Sequence, residues 1–383
     1  MRSKKEHTLD AQTNGQRHAG GAALAVLVMG AALSLVGIAS ASAKDNGPAR
    51  NVELAADEPR LPDPVQRVGP LRRGPDGRIE PVDPAVRRPG SAAGCDKGAI
   101  CVGAGQSYVN LAAALAVARP KDVIEIRGGT YRESVMIAIP ALTIKGVAGT
   151  PHFDCAKLPL ADSKGCFLLA AEGITLQNLE ISGAELSEDL GANGACVRND
   201  HNVGFTLRGV ICHGSQNGVL SSGGTILIEN SEFYDNGWNG LSHNVYFSGY
   251  CSVTVRASTF RDARVGHEFK SRCYRTEISD STFRSTRGSR VIDIPDGGNV
   301  LIYRSLLEKT QNTENQDIIG FTAESCAHPG EMLLKEVRII NSTFDARIRN
   351  YDKCTGHAII LQGVTFIGTA PRQMGYVRSI GGP

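Results

Sequence analysis

The chain has 383 residues and a formal net charge of +2, with 41 Lys and Arg against 39 Asp and Glu. That near balance excludes nucleic-acid or membrane-surface binding driven by global charge, so any polyanion must be held by a local basic patch. Its 44 glycines, single tryptophan and 5% aromatic content favour a repetitive, turn-rich β architecture over a compact α/β enzyme.

Residues 1–43 read as an export signal. Basic residues (Arg2, Lys4, Lys5, Arg17) precede an apolar run from Ala22 to Ala39, and Ala41-Ser42-Ala43 forms a small-x-small cleavage site. The apolar run approaches the length of a membrane span, so an uncleaved anchor is the alternative, and the only expected contact with a membrane. Either way the body is delivered across the inner membrane, to the periplasm, the cell surface or the medium. Residues 44–94 hold nine of the chain's 17 prolines and almost no apolar periodicity. Such a segment cannot bury enough surface to offset its ordering entropy, and it reads as a disordered linker.

All ten cysteines follow, from Cys95 to Cys354. An even count in an exported chain points to disulfides, and pairing each cysteine with its next neighbour closes five short loops. No C-x-x-C occurs, so no metal is expected from the cysteines.

The strongest signal is a repeat. ITLQNLEISG from Ile174, FTLRGVICHG from Phe205, ILIENSEFYD from Ile226 and VTVRASTFRD from Val253 align with one another. So do TEISDSTFRS from Thr276, VLIYRSLLEK from Val300, VRIINSTFDA from Val337 and IILQGVTFIG from Ile359. Position three is apolar in every unit and position one in all but Thr276, and they alternate with polar residues, which is a strand with one buried face. Position eight is apolar again (Ile181, Cys212, Phe233, Phe260, Phe283, Leu307, Phe344, Phe366). Position five holds Asn178, Gly209, Asn230, Asp280, Asn341 and Gly363, residues suited to a left-handed bend. A period near 22 residues with insertions predicts a right-handed parallel β-helix over residues 95–383, in which each coil buries its apolar face against its neighbours.

Upstream, Tyr108–Arg119 predicts an amphipathic helix capping the open end of the solenoid, followed by DVIEIRGGTYRE. In these features the chain resembles the pectate-lyase-like right-handed β-helix proteins of bacterial envelopes, over roughly residues 100–370. The resemblance implies the fold, but its members include polysaccharide lyases, epimerases, hydrolases and non-catalytic surface proteins. The polygalacturonase signatures are not assembled in this sequence, and the R-x-P-x-x-R motif of pectate lyases is missing.

The candidate site lies where the repeat leaves residues unexplained: Gly240–Tyr250, Val265–Cys273 and Ser289–Gly298. If these stack on successive coils, Val245 and Phe269 point inward while Tyr246, Lys270 and Asp293 face outward on neighbouring rungs. His243 and His267 form a second column flanked by Arg272 and Arg290. Titratable groups of mixed type on one patch are what a site needs. β-Elimination on a uronate suits this set. Arg272 or Arg290 with Asn244 would neutralise the sugar carboxylate, Lys270 or His243 would serve as base, and Tyr246 would protonate the leaving oxygen. His267 is counted with the catalytic group, and Asp293 and Trp238 with the substrate contacts, Trp238 stacking on a sugar ring. The expectation is a lyase acting as a monomer on an acidic polysaccharide; a C5-epimerase and a non-catalytic glycan-binding or envelope-structural protein are the alternatives. No metal site is assigned. A calcium ion held by Glu314–Asp317 with Glu324 and Glu331 is the one cofactor considered.

Overall fold

The structure, a computed structural model, describes residues 72–73, 79–80, 95–310, 313–343 and 345–381. The predicted export signal and most of the predicted linker lie outside these residues, as does Phe344. Within the linker, Arg72–Arg73 pairs antiparallel with Ile79–Glu80.

The rest is a solenoid of parallel strands. One sheet of ten short strands runs from Val135–Ile137 to Arg372–Met374. A second, of twenty strands, carries two strands per coil on either side of a bend. Strands of successive coils pair in register, as in Phe205–Arg208 on Ile174–Gln177 and Ile211–His213 on Glu180–Ser182. Parallel strands buried on one face need a crossover back to the starting edge, and here the rest of each coil supplies it.

The bend works as the repeat requires. Asn178, Gly209, Asn230, Asp280 and Gly363 all have positive φ, and so do Ala257 and Arg304 at the same position. Gly209 has a steric reason as well, because a Cβ there would lie 2.6 Å from Asn178 Oδ1. The residue after the bend is a buried serine on four successive coils: Ser231, Ser258, Ser281 and Ser305. Each of the first three donates its backbone N–H to the next serine's Oγ, at 3.1–3.2 Å. These ladders satisfy polar groups that the turn would otherwise bury without partners. Inside the bend Phe233, Phe260 and Phe283 stack, with centroids 5.1 and 4.8 Å apart.

One register differs from the expectation. Ile339 pairs with Leu307 and Leu334 with Ile302, so the seventh unit starts at Met332 rather than Val337, with its bend at Glu336. Asn341 is not a bend residue; it is buried and hydrogen-bonded to Thr343 and Thr369. The bend resets the inside–outside alternation, so positions six and eight imitate positions one and three. A five-residue slip therefore costs the pattern nothing.

The N-terminal helix is also shorter than predicted, spanning only Leu111–Leu115. Asn110 caps it, and the Glu133 carboxylate accepts from the N–H groups of Leu111 and Ala112. Leu111 and Ala114 are buried against the first coils. The five disulfides join the cysteines neighbour to neighbour: Cys95–Cys101, Cys155–Cys166, Cys196–Cys212, Cys251–Cys273 and Cys326–Cys354.

Candidate functional site

The ten-stranded sheet carries the candidate site on its outer face. Tyr246, Lys270 and Asp293 pair directly on three successive rungs. Val245, Phe269 and Ile292 beside them are fully buried in the core. Gly320 occupies the next rung, where a Cβ would come within 2.6 Å of the Arg290 guanidinium. The missing side chain gives Arg290 room to lie across the sheet.

Arg290 holds two buried carboxylates, Asp293 Oδ1 at 3.0 Å and Asp317 Oδ2 at 3.4 Å. Asp317 is also held by Arg347 at 2.6 Å and by the Tyr351 hydroxyl at 2.6 Å. A carboxylate surrounded by two guanidinium groups is a poor calcium ligand, so the calcium site that included Asp317 is corrected. Asp293 is fully buried, and burial raises its carboxyl pKa against the opposing pull of Arg290 and Lys270. Its Oδ2 makes no well-aligned hydrogen bond, though His267 Nε2 lies 3.3 Å away and Lys270 Nζ 3.6 Å away.

His243 and His267 stack with centroids 4.8 Å apart. Their Nδ1 atoms accept backbone N–H groups from the next coil, His267 N onto His243 at 3.0 Å and Arg290 N onto His267 at 3.1 Å. Burial, then the neighbouring cationic groups, lower both imidazole pKa values well below the ordinary value. The neutral rings therefore carry their proton on Nε2 and can only donate from it. The expected role of His243 as a base is corrected on this ground.

Arg272 reaches back to Tyr246, its Nε donating to the phenolic oxygen at 2.8 Å. It also pairs with Asp296 at 2.7 Å and with Glu324. Burial would lower the Arg272 pKa, but Glu324 and Asp296 outweigh it and raise it. Glu324 pairs in addition with Lys270 at 3.2 Å, and its side chain is 47% exposed. Burial raises the Glu324 carboxyl pKa, but Arg272 and Lys270 bring it below the ordinary carboxylate value.

Two expected substrate contacts lie elsewhere. Asn244 is fully buried and faces the interior, where it hydrogen-bonds Asn236, Glu268 at 2.5 Å and the Arg261 carbonyl. It cannot touch a ligand on the outer face. Trp238 lines a shallow hollow with Leu186, Glu188 and Gln216, and none of the ladder residues lines it. Sequence reasoning missed Tyr351, and it considered Glu324 only as a calcium ligand and Asp296 only as a nearby carboxylate, not as partners of the ladder's cations. Each comes from a turn or a later coil, so no repeat position announces it.

A family model described as "Right handed beta helix region" matches residues 165–348, which include every residue of the ladder. No curated protein matches the chain by sequence. Among solved structures, a pectin methylesterase from Aspergillus niger is 15% identical with a TM-score of 0.46, covering 76% of this chain and 92% of its own. An alginate lyase from a Paenibacillus species is 12% identical with a TM-score of 0.46, covering 69% and 95%. A polygalacturonase from Erwinia carotovora is 10% identical with a TM-score of 0.41, covering 76% and 100%. Likenesses this distant do not select among reactions. By its own strand pairing and by the family model that matches its middle, the chain is a right-handed parallel β-helix resembling the pectate-lyase-like proteins.

Proposed function

We propose that the chain is an exported protein that cleaves an acidic, uronate-containing polysaccharide by β-elimination. The observation that carries this reading is the seat of Glu324, an exposed carboxylate held at the surface by Lys270 and Arg272 together. Two outward cations that hold one carboxylate in place can hold that of a sugar acid. The five disulfides fit delivery to an oxidising compartment.

In this reading Arg272 neutralises the substrate carboxylate, and with it the charge that develops on the enolate-like intermediate. Lys270 first passes its ammonium proton to Asp293 at 3.6 Å, and the neutral amine then takes the proton from the carbon bearing the carboxylate. The carbon's electron pair forms the new double bond, and the glycosidic oxygen leaves with the pair of the broken bond. That oxygen takes a proton from Tyr246, whose phenolic oxygen already accepts from Arg272 and so has its own O–H free to donate. Return of the proton to the opposite face of the same carbanion would give a C5-epimerase.

A second reading, non-catalytic glycan binding, is favoured by one observation. Lys270, Arg272 and Arg290 are each paired with protein carboxylates, which suits recognition as well as proton transfer. The test follows the ultraviolet absorbance of the unsaturated uronate product with pectate, alginate and other acidic glycans, using the native chain, Lys270→Ala and Tyr246→Phe. Elimination by the native chain that falls about 100-fold or more in both variants, with glycan binding retained, supports the lyase. A flat absorbance with bound glycan overturns it in favour of binding.

A further inference from the structure

Away from the ladder, the outer face of the strands that follow the bend brings together two histidines and a glutamate. His152 pairs directly with Glu180, and on the next coil His213 pairs with Ser182, two residues further along the same strand. Phe153, Ile181 and Cys212 between them point into the core, so all four polar side chains project outward. His152 Nε2 lies 2.7 Å from Ser182 Oγ, and His213 Nε2 lies 3.1 Å from Glu180 Oε1. One ligand atom from each of His152, Glu180 and His213 falls within 4.8 Å of the others.

From this cluster we infer a binding site for a divalent transition-metal ion, of which zinc is the best fit. Two imidazoles and a carboxylate are the donor set that borderline ions prefer, while calcium and magnesium favour all-oxygen shells. Ligand distances of about 2.0–2.2 Å place neighbouring donors of a tetrahedral ion roughly 3.3 Å apart, so only small side-chain movements close the cluster. The strands beneath fix the three Cα positions, and a Tyr234 ring stacked on His213 at 4.8 Å holds that imidazole in its plane. The Arg261 guanidinium covers the other side of Tyr234 at 4.1 Å. Ser182 is a ready partner for orienting His152, the outer-shell role that metal-bound histidines require. His213 and Glu180 keep 24% and 32% of their side-chain surface exposed, which leaves the fourth coordination position open to water or an outside ligand. The site therefore belongs to the open, three-ligand class rather than the closed structural one.

The experiment titrates the purified full chain with zinc alone and, separately, with cobalt(II) alone, reading stoichiometry by equilibrium dialysis and geometry from the visible cobalt spectrum. The expected result is one equivalent of either ion, with a tetrahedral cobalt spectrum. His213→Ala and Glu180→Gln should weaken binding more than Ser182→Ala, for which a loss of about 10-fold is expected. Circular dichroism in metal-free buffer shows that the variants remain folded, since the three side chains lie outside the core. No binding, or binding unchanged in a folded His152→Ala/His213→Ala variant, overturns the site; in the second case the ion is held elsewhere on the chain.

Discussion

Replacing Glu268 with glutamine would isolate the energetic effect of a carboxyl group sealed inside the solenoid. Glu268 is fully buried, accepts from the Ala263 N–H at 3.1 Å and meets Asn244 Nδ2 at 2.5 Å. Burial pushes its pKa from 4.5 up to about 8. The folded protein therefore keeps this proton through a range in which the unfolded chain has released it. Its contribution to stability is fully present below the unfolded value near 4.5 and is lost as pH rises through the folded value near 8. The displacement corresponds to roughly 5 kcal/mol across that window. Lys309, also buried, has its pKa lowered by burial from 10.5 to about 8. Its contribution rises only above that value and leaves the acidic side of the window flat. Glutamine keeps the acceptor and cannot ionise, so Glu268→Gln should match the native protein within about 1 kcal/mol at acidic pH. Urea unfolding of the disulfide-intact proteins at several pH values between about 5 and 8 reads the difference. The native protein should lose about 4 kcal/mol relative to the variant over that span. Equal pH slopes in the two proteins would refute the reasoning.

Three further outcomes are expected. Phe260→Ala removes the middle ring of the Phe233–Phe260–Phe283 stack and should cost about 3–5 kcal/mol, read as a lower urea midpoint with unchanged slope. Removing the Cys251–Cys273 bond by a double alanine substitution releases a 22-residue loop and should cost about 3 kcal/mol; a loss near zero would mean that the reduced chain is already constrained there. Glu324→Gln frees Lys270 and Arg272 from their surface partner, so calorimetry should show acidic oligosaccharides binding more tightly, about 5-fold for ~1 kcal/mol released. Weaker binding by that variant would show that Glu324 contacts the glycan instead of competing with it.

The fold was legible in the sequence because a solenoid repeats one local problem. Each coil must alternate its apolar residues, turn at a left-handed position and resume the alternation, so Leu176, Leu207, Ile228 and Val255 declare their register one by one. Tyr246, Lys270 and Asp293 were legible for the same reason, since their offsets from the repeat place them on one ladder. The seventh unit was misread because positions six and eight of a coil carry the same pattern as positions one and three. Asn244 was misassigned because alternation says nothing of the corner, where a polar side chain can turn inward to meet Glu268.

The sequence by itself therefore determined the architecture, all but one of the bends and the column of outward polar residues, while it offered neighbour-to-neighbour cysteine pairing without fixing it. Only the tertiary structure decided what those residues do to one another. It set which imidazole nitrogen carries the proton, because a backbone N–H from the next coil occupies the other. It brought Glu324 onto Lys270, 54 residues away in the chain. It also joined His152, Glu180 and His213 from three coils on a face whose polar pattern reads, strand by strand, as ordinary solvent exposure. The physical reason is that hydrophobic alternation is a property of one strand, while proton placement, ion pairing and ligand sets depend on distances between strands that insertions of unequal length bring together.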